Sequence, residues 1–289
     1  MALDSFRCPM CKGALFVEPT GLYCAPCGKI FSISDGIPDF FFSETHADAI
    51  DGPNRIWLTP GIVEARDTVY RLCARELKGM AFCMQEIASH TGEKCRILEV
   101  GMGTGHFTQW LAEVSSAYTE IYAFDISWPI LEKAKRTTQG FSKVTLFRAN
   151  AREPLPFGSE SFDVVLIRLA PLGAHGTPNV QAGYELLRPG GWYFEAGWEQ
   201  GRYETPPTEW AMQHGYESAE HHAWQYWRTQ TEEERTAWRI EMACLAAQGI
   251  ETAKAQLKTA EAKGDAGAQG AIRKMTREHV LIAHKPLLE

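Results

Sequence analysis

The pattern of apolar and polar positions is most distinctive at residues 96–114. An apolar run of strand character, Ile97, Leu98 and Val100, leads into three alternating glycines, after which apolar residues recur at helical spacing. The glycines are Gly101, Gly103 and Gly105. Glycine lets a backbone turn sharply and approach a ligand closely, and the free amides of the next helix point to the same place. The pattern predicts a strand, a ligand-binding loop and a helix, which also suits a dinucleotide-binding domain.

Strand patterns recur further along the chain and alternate with helical ones. The run Ile121-Tyr-Ala-Phe-Asp125 predicts a second strand ending in a carboxylate, which is placed to accept hydrogen bonds from a ribose diol. A third strand ends near residue 150, a fourth begins near Phe162, a fifth covers 192–195, and 279–284 predicts the last strand. The expected fold is α/β, a Rossmann-like, doubly wound, mostly parallel sheet with ligands at the carboxyl ends of its strands.

Helical segments are expected on both sides of this strand pattern. Residues 62–87 carry apolar positions at helical spacing and predict one or two helices. Residues 198–240, which hold five of the nine tryptophans, predict an aromatic-rich insertion. A long helix is expected from Thr231, because Thr-Glu-Glu-Glu234 is a capping-box pattern. A sixth strand is expected either within 250–260 or not at all.

Four motifs follow one another in a fixed order. They are E-x-G-x-G-x-G at 99–105, F-D at 124–125, L-P-F-x-x-x-S-F-D-V-V at 155–165, and L-R-P-G-G at 187–191. With this order and spacing, residues 95–197 resemble the class I S-adenosylmethionine-dependent methyltransferases. The resemblance implies a methyltransferase with S-adenosylmethionine as cofactor. It also implies that helices over 62–87 cover the cofactor and acceptor sites, and simple packing on the sheet is the open alternative.

The resemblance also implies a set of cofactor-binding residues. They are Glu99, Gly101, Gly103, Gly105, Asp125, Ile126, Asn150 and Ala151. The glycines would approach the methionine part, Glu99 would support its amino end, and Asp125 would accept from the ribose hydroxyls. Ile126 would pack on the adenine, and Asn150 with the backbone of Ala151 would read its edge. Many family members have aspartate where this chain has asparagine, which both donates and accepts.

Two C-x2-C knuckles near the N-terminus predict a metal site. Cys8-Pro-Met-Cys11 and Cys24-Ala-Pro-Cys27 offer four thiolates, and four soft ligands complete a tetrahedral zinc site with no position for a catalytic water. A redox dithiol is the alternative for a single knuckle. The other cysteines are scattered, which argues against a secreted disulfide framework. A structural zinc module is therefore expected, with folding coupled to the metal.

The knuckles and Asp35-Gly36-Ile37-Pro38 together resemble the zinc ribbon of the Trm112-like family. The resemblance implies that the ribbon partners methyltransferases or is fused to them, so a protein partner bound through the ribbon is one expectation. The expected domain order is a zinc ribbon at 1–42, a linker and helical cap at 43–94, and an S-adenosylmethionine-binding domain at 95–289. The insertion is expected at about 198–275.

Charge and hydropathy bear on the partners. The chain has 29 Lys and Arg against 36 Asp and Glu, a net charge of −7, with no basic tract. Nucleic-acid binding depends on neutralising phosphates, so this balance favours a small-molecule acceptor over RNA. No signal pattern and no apolar run of membrane-spanning length is present, so a cytoplasmic protein without a membrane partner is expected.

The acceptor side has fewer signals. Arg168 and His175 follow the fourth strand, where family members place acceptor-facing groups. Arg168 would orient an anionic or carbonyl acceptor and His175 would be a general base, against the alternative of a salt-bridged or exposed role. Glu195, after the fifth strand, is a similar candidate. The pair His221-His222 suggests a metal, but an exposed helix face is the favoured interpretation. The tryptophans either stack on a planar acceptor or fill a core.

Three functions remain after these observations. The leading hypothesis is a methyltransferase with a small-molecule acceptor and a structural zinc. The second is an RNA methyltransferase, because the zinc module, the run Ile167-Arg-Leu-Ala-Pro171 and L-R-P-G-G-Trp192 resemble the ribosomal-RNA guanine-N1 methyltransferases. The chain departs from that family by one residue fewer between the arginine and Ala-Pro and by lacking its acceptor motif. The third is a partner-binding, non-catalytic subunit with a methyltransferase fold.

Overall fold

A computed structural model of the chain describes residues 3–41, 60–168, 170, 172, 177–198, 207–262 and 272–287. The N-terminal segment 3–41, called the ribbon below, contains two small antiparallel sheets. Its strands are β1 (Phe16–Glu18), β2 (Gly21–Cys24), β3 (Lys29–Phe31), β4 (Ile33–Ser34) and β5 (Ile37–Pro38). The first three strands form a meander, and the last two form a hairpin.

The centre of the molecule is a seven-stranded sheet. Its strands are β6 (Arg96–Val100), β7 (Glu120–Asp125), β8 (Val144–Arg148), β9 (Phe162–Arg168), β10 (Leu187–Trp198), β11 (Ser218–Gln230) and β12 (Ile272–His284). The spatial order is β11-β12-β10-β9-β6-β7-β8, with β6 to β10 parallel and β12 antiparallel to both neighbours. This arrangement confirms the predicted mostly parallel α/β fold.

The strand order reverses direction between β6 and β9. From β6 the chain continues to β7 and β8 on one side, then returns to add β9 and β10 on the other. Loops that leave two such neighbouring strands diverge, so a crevice opens at the carboxyl ends of the strands. The glycine loop after β6 and the residues after β9 both lie at this crevice.

Eight helices accompany these strands in the described part of the chain. They are α1 (Pro60–Cys73), α2 (Lys78–His90), α3 (His106–Val114), α4 (Trp128–Thr138), α5 (Asn179–Leu186), α6 (Pro207–Gln213), α7 (Glu232–Ala247) and α8 (Glu251–Ala262). The predicted helices before the first sheet strand are α1 and α2. The predicted capping box begins α7, where the Thr231 hydroxyl accepts from the amide of Glu234 at 3.1 Å. None of the described helices has the length and apolar character of a membrane span.

The two faces of the sheet are covered in different ways. On one face, α2 and α3 bury Met84, Ile87 and Leu111 against sheet residues such as Ile97 and Val164. On the other face, α5 covers the β10 side, but the connection from β8 to β9, residues 149–161, contains no helix.

The ribbon fills the place of that missing helix. Phe6 and Phe40 are 0% and 1% exposed, and they pack on aromatic rings of the sheet and the 149–161 loop. The ring centre of Phe6 lies 5.4 Å from that of Phe147 and 5.4 Å from that of Phe157. The ribbon therefore shares a hydrophobic core with the sheet.

The sixth strand differs from the prediction. It is β11, inside the aromatic-rich stretch, and it pairs with β12 over its whole length. The expectation of a sixth strand within 250–260, or of none, was wrong, since those residues belong to α8 and its approach. As an edge strand, β11 leaves most of its side chains partly exposed, so it lacks the apolar run of a buried strand. The helical insertion, α7 and α8, lies between β11 and β12, directly before the last strand as expected.

Candidate functional site

The glycine loop between β6 and α3 forms one wall of a cleft. Gly101 and Gly103 have φ of +69° and +59°, which side chains rarely adopt. A β-carbon at Gly101 would lie 2.5 Å from the β-carbon of Ala170. The loop is also tied to β7, because the amide of Gly103 donates to Oδ2 of Asp125 at 3.2 Å.

Gly105 serves the packing of helices. It has φ of +87° and does not line the cleft, and its β-carbon would lie 3.0 Å from the Cα of Ala134 on α4. A side chain there would push α3 and α4 apart. The approach of Gly105 to the cofactor, which the resemblance implied, stays a prediction.

The cleft lies at the carboxyl ends of β6, β7, β8 and β9. Seven residues predicted from the sequence line it: Gly101, Gly103, Asp125, Ile126, Asn150, Ala151 and Arg168. The geometry therefore brings together groups from four separate strand ends.

Helix α1 covers the cleft with residues that the motifs did not single out. Val63, Arg66 and Tyr70 line it from this side. A guanidinium nitrogen of Arg66 donates to the Tyr70 hydroxyl at 3.1 Å, and Asp67 accepts from His106 of α3 at 2.9 Å. The helical spacing predicted α1, but which of its residues face the cleft depends on how the helix docks.

Asp125 is held by the backbone amides around it. Its Oδ2 accepts from Gly103 and its Oδ1 accepts from Ser127, each at 3.2 Å. Burial raises the pKa of the Asp125 carboxyl, and the surrounding amides and the charge of Arg168 oppose that rise. The backbone amides of Gly103, Ile126 and Ser127 donate to this carboxylate, which has about four lone-pair sites, so it can also accept from a diol.

Asn150 already has partners within the protein. Its Oδ1 accepts from the amide of Arg152 at 3.0 Å, and its Nδ2 donates to Glu153 at 3.3 Å. This local ring of bonds closes the turn that follows β8 and leaves Ala151 on the cleft wall. Asn150 is 8% exposed, and its side chain stabilises this turn.

Glu99 is a completely buried carboxylate that does not line the cleft. Among the residues that the structure describes, neither of its oxygens has a partner with good hydrogen-bond geometry, and the hydroxyl of Thr108 is a nearby donor. Burial raises the pKa of the Glu99 carboxyl, while the charge of Arg168 and the hydroxyl of Thr108 oppose the rise. A buried carboxylate without a well-aligned donor is costly, so the site fits a ligand cation or a water.

Arg168 is a buried cation at the end of β9, 6% exposed. Its guanidinium carbon lies 3.8 Å from the centre of the Phe107 ring and 5.3 Å from that of Tyr70. Nη2 of Arg168 donates a hydrogen bond of 3.4 Å to the carbonyl of Met102, which holds the guanidinium against the glycine loop. It also lines a small second cavity, together with Met80 and Glu278. Such stacking fixes the orientation of the guanidinium while keeping its charge.

The other acceptor-side candidates have different positions. His175 lies outside the described residues. Glu195 points to the opposite side of β10 from Phe194, where its oxygens accept from Tyr193 at 2.5 Å and from Asn179 at 3.2 Å. Asn179 in turn accepts from the amide of Leu172 at 2.9 Å. Glu195 thus holds the segment after β9 in place, and burial raises the pKa of its carboxyl.

The four knuckle cysteines converge in the ribbon. Their sulfur atoms all lie within 4.8 Å of one another, with Cys8 to Cys27 at 3.8 Å and Cys11 to Cys24 at 3.5 Å. Four sulfurs around a zinc ion at about 2.3 Å would be about 3.8 Å apart. The hydrogen bond from Cys27 lowers the pKa of the Cys11 thiol to about 7. The donor set and its spacing therefore fit a tetrahedral zinc ion.

Within the described ranges, this is the one compact group of three or more His, Cys, Asp or Glu side chains suited to a metal. His221 and His222 are neighbours on a strand, β11, not on a helix as expected, and successive strand residues face opposite sides. His222 contacts Glu220 at 3.1 Å. The structure does not bring the pair together as a chelate.

Comparison with known proteins adds independent information. Residues 97–191, about a third of the chain, match a protein family described as a methyltransferase domain. The demethylmenaquinone methyltransferase of Bacillus licheniformis is 39% identical over 70 residues, which are 24% of this chain and 30% of that protein. The matched segment thus spans less than a third of the length of this curated relative.

Solved structures of other proteins are similar to this chain. The YcgJ protein of Bacillus subtilis is 16% identical with a TM-score of 0.50, over 72% of this chain and 98% of that one. A phosphoethanolamine N-methyltransferase 2 of Haemonchus contortus is 14% identical with a TM-score of 0.48, over 83% of this chain and 60% of that one. The family match and the shared fold agree with the motifs found in the sequence.

Proposed function

We propose, from the premise that residues 97–191 are a class I S-adenosylmethionine-dependent methyltransferase domain, that this chain transfers a methyl group to a small-molecule acceptor. One observation carries the proposal. The glycine loop and the carboxylate of Asp125 are joined at the edge of a cleft at the carboxyl ends of the strands. This is where an α/β sheet binds a nucleoside.

Each part of the cofactor has a matching group in the chain. Asp125 accepts from the ribose hydroxyls, and Ile126 and the backbone of Ala151 border the adenine. Gly101 and Gly103 allow the methionine part to lie against the backbone. Glu99, which does not line the cleft, supports the ammonium through water, and such a water would also give its buried carboxylate a partner.

Arg168 has a role on the donor side of the site. Its Nη2 lies 3.7 Å from the position that a β-carbon would take on Gly103. A cation that close to the glycine loop suits the methionine carboxylate, since planar guanidinium groups pair well with carboxylates. We therefore assign Arg168 to the cofactor carboxylate, and His175 remains the predicted general base for acceptors that must lose a proton.

The chemistry asks mainly for alignment and exclusion of water. Bound S-adenosylmethionine supplies a methyl group that its sulfonium already activates for in-line displacement. The chain then holds donor and acceptor in line, and α1, which carries Val63 and Tyr70 over the cleft, keeps water away.

Two observations support a small acceptor. The net charge of −7 disfavours a polyanion. The name of the Bacillus licheniformis relative also refers to a small molecule, demethylmenaquinone. RNA is the second candidate acceptor, because the zinc module and residues 167–171 resemble those of the ribosomal-RNA guanine-N1 methyltransferases.

The ribbon holds one structural zinc ion in this proposal. Cys8, Cys11, Cys24 and Cys27 supply four sulfur ligands, and four ligands leave no open position for water. Free thiolates persist in a reducing compartment, so we propose a cytoplasmic location. A protein partner on the ribbon belongs to the third hypothesis, the non-catalytic subunit.

Calorimetric titration with S-adenosylhomocysteine tests the cofactor site. We expect binding by the wild-type chain and a large loss in Asp125→Ala, while Asp163→Ala, at the opposite end of the sheet, keeps the affinity. No binding at about 1 mM, equivalent to about −4 kcal/mol, would refute the proposal.

Radiolabelled S-adenosylmethionine then identifies the acceptor class. The chain is incubated with total RNA or with a small-molecule extract, and the label is followed in each fraction. Label in the extract supports a small acceptor, and label in RNA would replace it by the second candidate. Cofactor binding without transfer to either fraction, together with copurification of a second methyltransferase, would favour the non-catalytic subunit.

A further inference from the structure

The end of the ribbon runs along the edge of the central sheet. Asp39 forms a parallel bridge with Arg148 of β8, and the amide of Phe40 donates to the carbonyl of Arg148 at 2.8 Å. Ile37, just before them, is buried in one cluster with Met102 of the glycine loop. Residues 37–41, called the strap below, therefore join the ribbon to the carboxyl end of β8, next to the cleft.

The side chain of Arg148 extends this connection to the cleft wall. One of its Nη atoms donates to Oδ2 of Asp39 at 3.1 Å, and its Nε donates to the carbonyl of Ile126 at 2.8 Å. Its guanidinium also lies 4.5 Å from the Phe41 ring centre. The side chains of Arg148 and Asp39 are 12% and 18% exposed, so solvent weakens the pair only in part. Ile126 itself lines the cleft.

The ribbon also holds the second loop on this side of the cleft. The ammonium group of Lys12 donates to the carbonyl of Leu155 at 2.9 Å, and the amide of Arg7 donates to that of Pro156 at 2.9 Å. Both carbonyls belong to the 149–161 loop, which begins with the cleft residues Asn150 and Ala151. The ribbon is thus bonded to both segments that would border the adenine.

These bonds matter because the loop has no helix to order it. A loop without secondary structure samples many conformations unless other groups tie it down. Ordering it only when a ligand arrives reduces the affinity, and ordering it beforehand preserves the affinity. The ribbon, with Phe6 and Phe40 buried beneath this region, provides that prior order.

We infer that the ribbon is the positioning element of the adenine end of the cofactor site, acting through Asp39 and Arg148 on the backbone of Ile126. The inference rests on the proposed function. Asp39 and Arg148 are positioning residues, since neither lines the cleft. The affinity for the cofactor then depends on the module that carries the four knuckle cysteines.

A double-mutant cycle tests the inference. Titration calorimetry with S-adenosylhomocysteine is done on the wild-type chain, Asp39→Asn, Arg148→Gln and the double variant. We expect each single variant to bind roughly five- to tenfold more weakly, and the double variant to bind no more weakly than the worse single, since both remove one interaction. The matched control is Asp163→Asn, which alters another partly exposed Asp–Arg pair, with Arg188.

The outcomes distinguish a positioning role, which changes the affinity for the cofactor, from a role in folding stability alone. Thermal unfolding is recorded for every variant, and Asp39→Asn and Asp163→Asn are expected to lose similar stability while only Asp39→Asn loses affinity. Affinities within twofold of wild type in both single variants, or additive losses in the double variant, would overturn the inference but leave the proposed function intact. Failure of the wild-type chain to bind would overturn both.

Discussion

A β-carbon added to Gly101 would lie 2.5 Å from the β-carbon of Ala170, well inside normal contact distance. The glycine loop after β6 and the segment after β9 therefore approach each other as closely as glycine permits. This contact forms the floor of the cleft where the two strands diverge, so the site depends on a residue without a side chain.

Gly101→Ala is expected to reduce the affinity for S-adenosylhomocysteine by at least roughly tenfold, because the loop must move and the left-handed φ costs about 1–2 kcal/mol. Gly249→Ala is the control. That glycine also has a positive φ, +86°, but its added β-carbon meets nothing within 4 Å. Calorimetry should show unchanged affinity for the control, and equal losses in both variants would contradict the assigned role of the loop.

Arg168→Met keeps a side chain of similar length but removes the charge. We expect roughly tenfold or greater loss of affinity for S-adenosylhomocysteine, as for other hydrogen bonds to charged groups. Affinity for methylthioadenosine, which lacks the carboxylate, should stay within about twofold of wild type. The affinity of Arg168→Lys for S-adenosylhomocysteine should lie between those of the wild-type chain and Arg168→Met, because lysine keeps the charge but lacks the planar guanidinium. Equal losses for both ligands would show that Arg168 only supports the fold of the site.

Phe6→Ala should destabilise the whole chain by about 3–5 kcal/mol, because Phe6 is fully buried in the core that the ribbon shares with the sheet. Phe16→Ala is the matched control, as Phe16 is 55% exposed, and its effect should stay within about 0.5 kcal/mol. Urea unfolding followed by tryptophan fluorescence measures both. A ribbon that folded independently of the sheet would instead produce a separate early transition.

Removal of zinc is expected to lower both stability and cofactor affinity. The wild-type chain should release one zinc ion per chain when its thiols are blocked, since four cysteines form one site. After a chelator has removed the zinc, the chain should unfold at a lower temperature and bind S-adenosylhomocysteine more weakly. Added zinc should restore both the melting temperature and the affinity. Retention of affinity after complete metal loss would show that the ribbon stays ordered without its ion.

The pH dependence of the melting temperature of Glu195→Gln tests how the Glu195 carboxyl contributes to stability. Burial raises its pKa above the usual 4.5 despite two donated hydrogen bonds. The folded state then binds the proton more tightly, so this contribution to stability is present below pH 4.5 and is lost as the pH rises through the folded-state pKa. The melting temperature of Glu195→Gln relative to wild type should therefore rise with pH.

Residues close together in the sequence determined a large part of this protein. The strand-to-glycine-loop transition at 96–105, the two cysteine knuckles and the capping box at Thr231 each depend on neighbours a few positions away. Backbone conformation and ligand spacing at such short range are set locally, so these elements formed as predicted. The motif order likewise indicated the parallel sheet, since each strand end carried its own signal.

Contacts between distant segments were decided only by the tertiary structure. The strand β11 is stabilised by pairing with β12, about fifty residues further along, so its edge position left no apolar run to recognise. Gly105 packs against α4, and Arg168 stacks on Phe107, because helices dock where their faces fit. The ribbon covers the sheet because the β8–β9 connection has no helix, and an exposed apolar face must be buried by something.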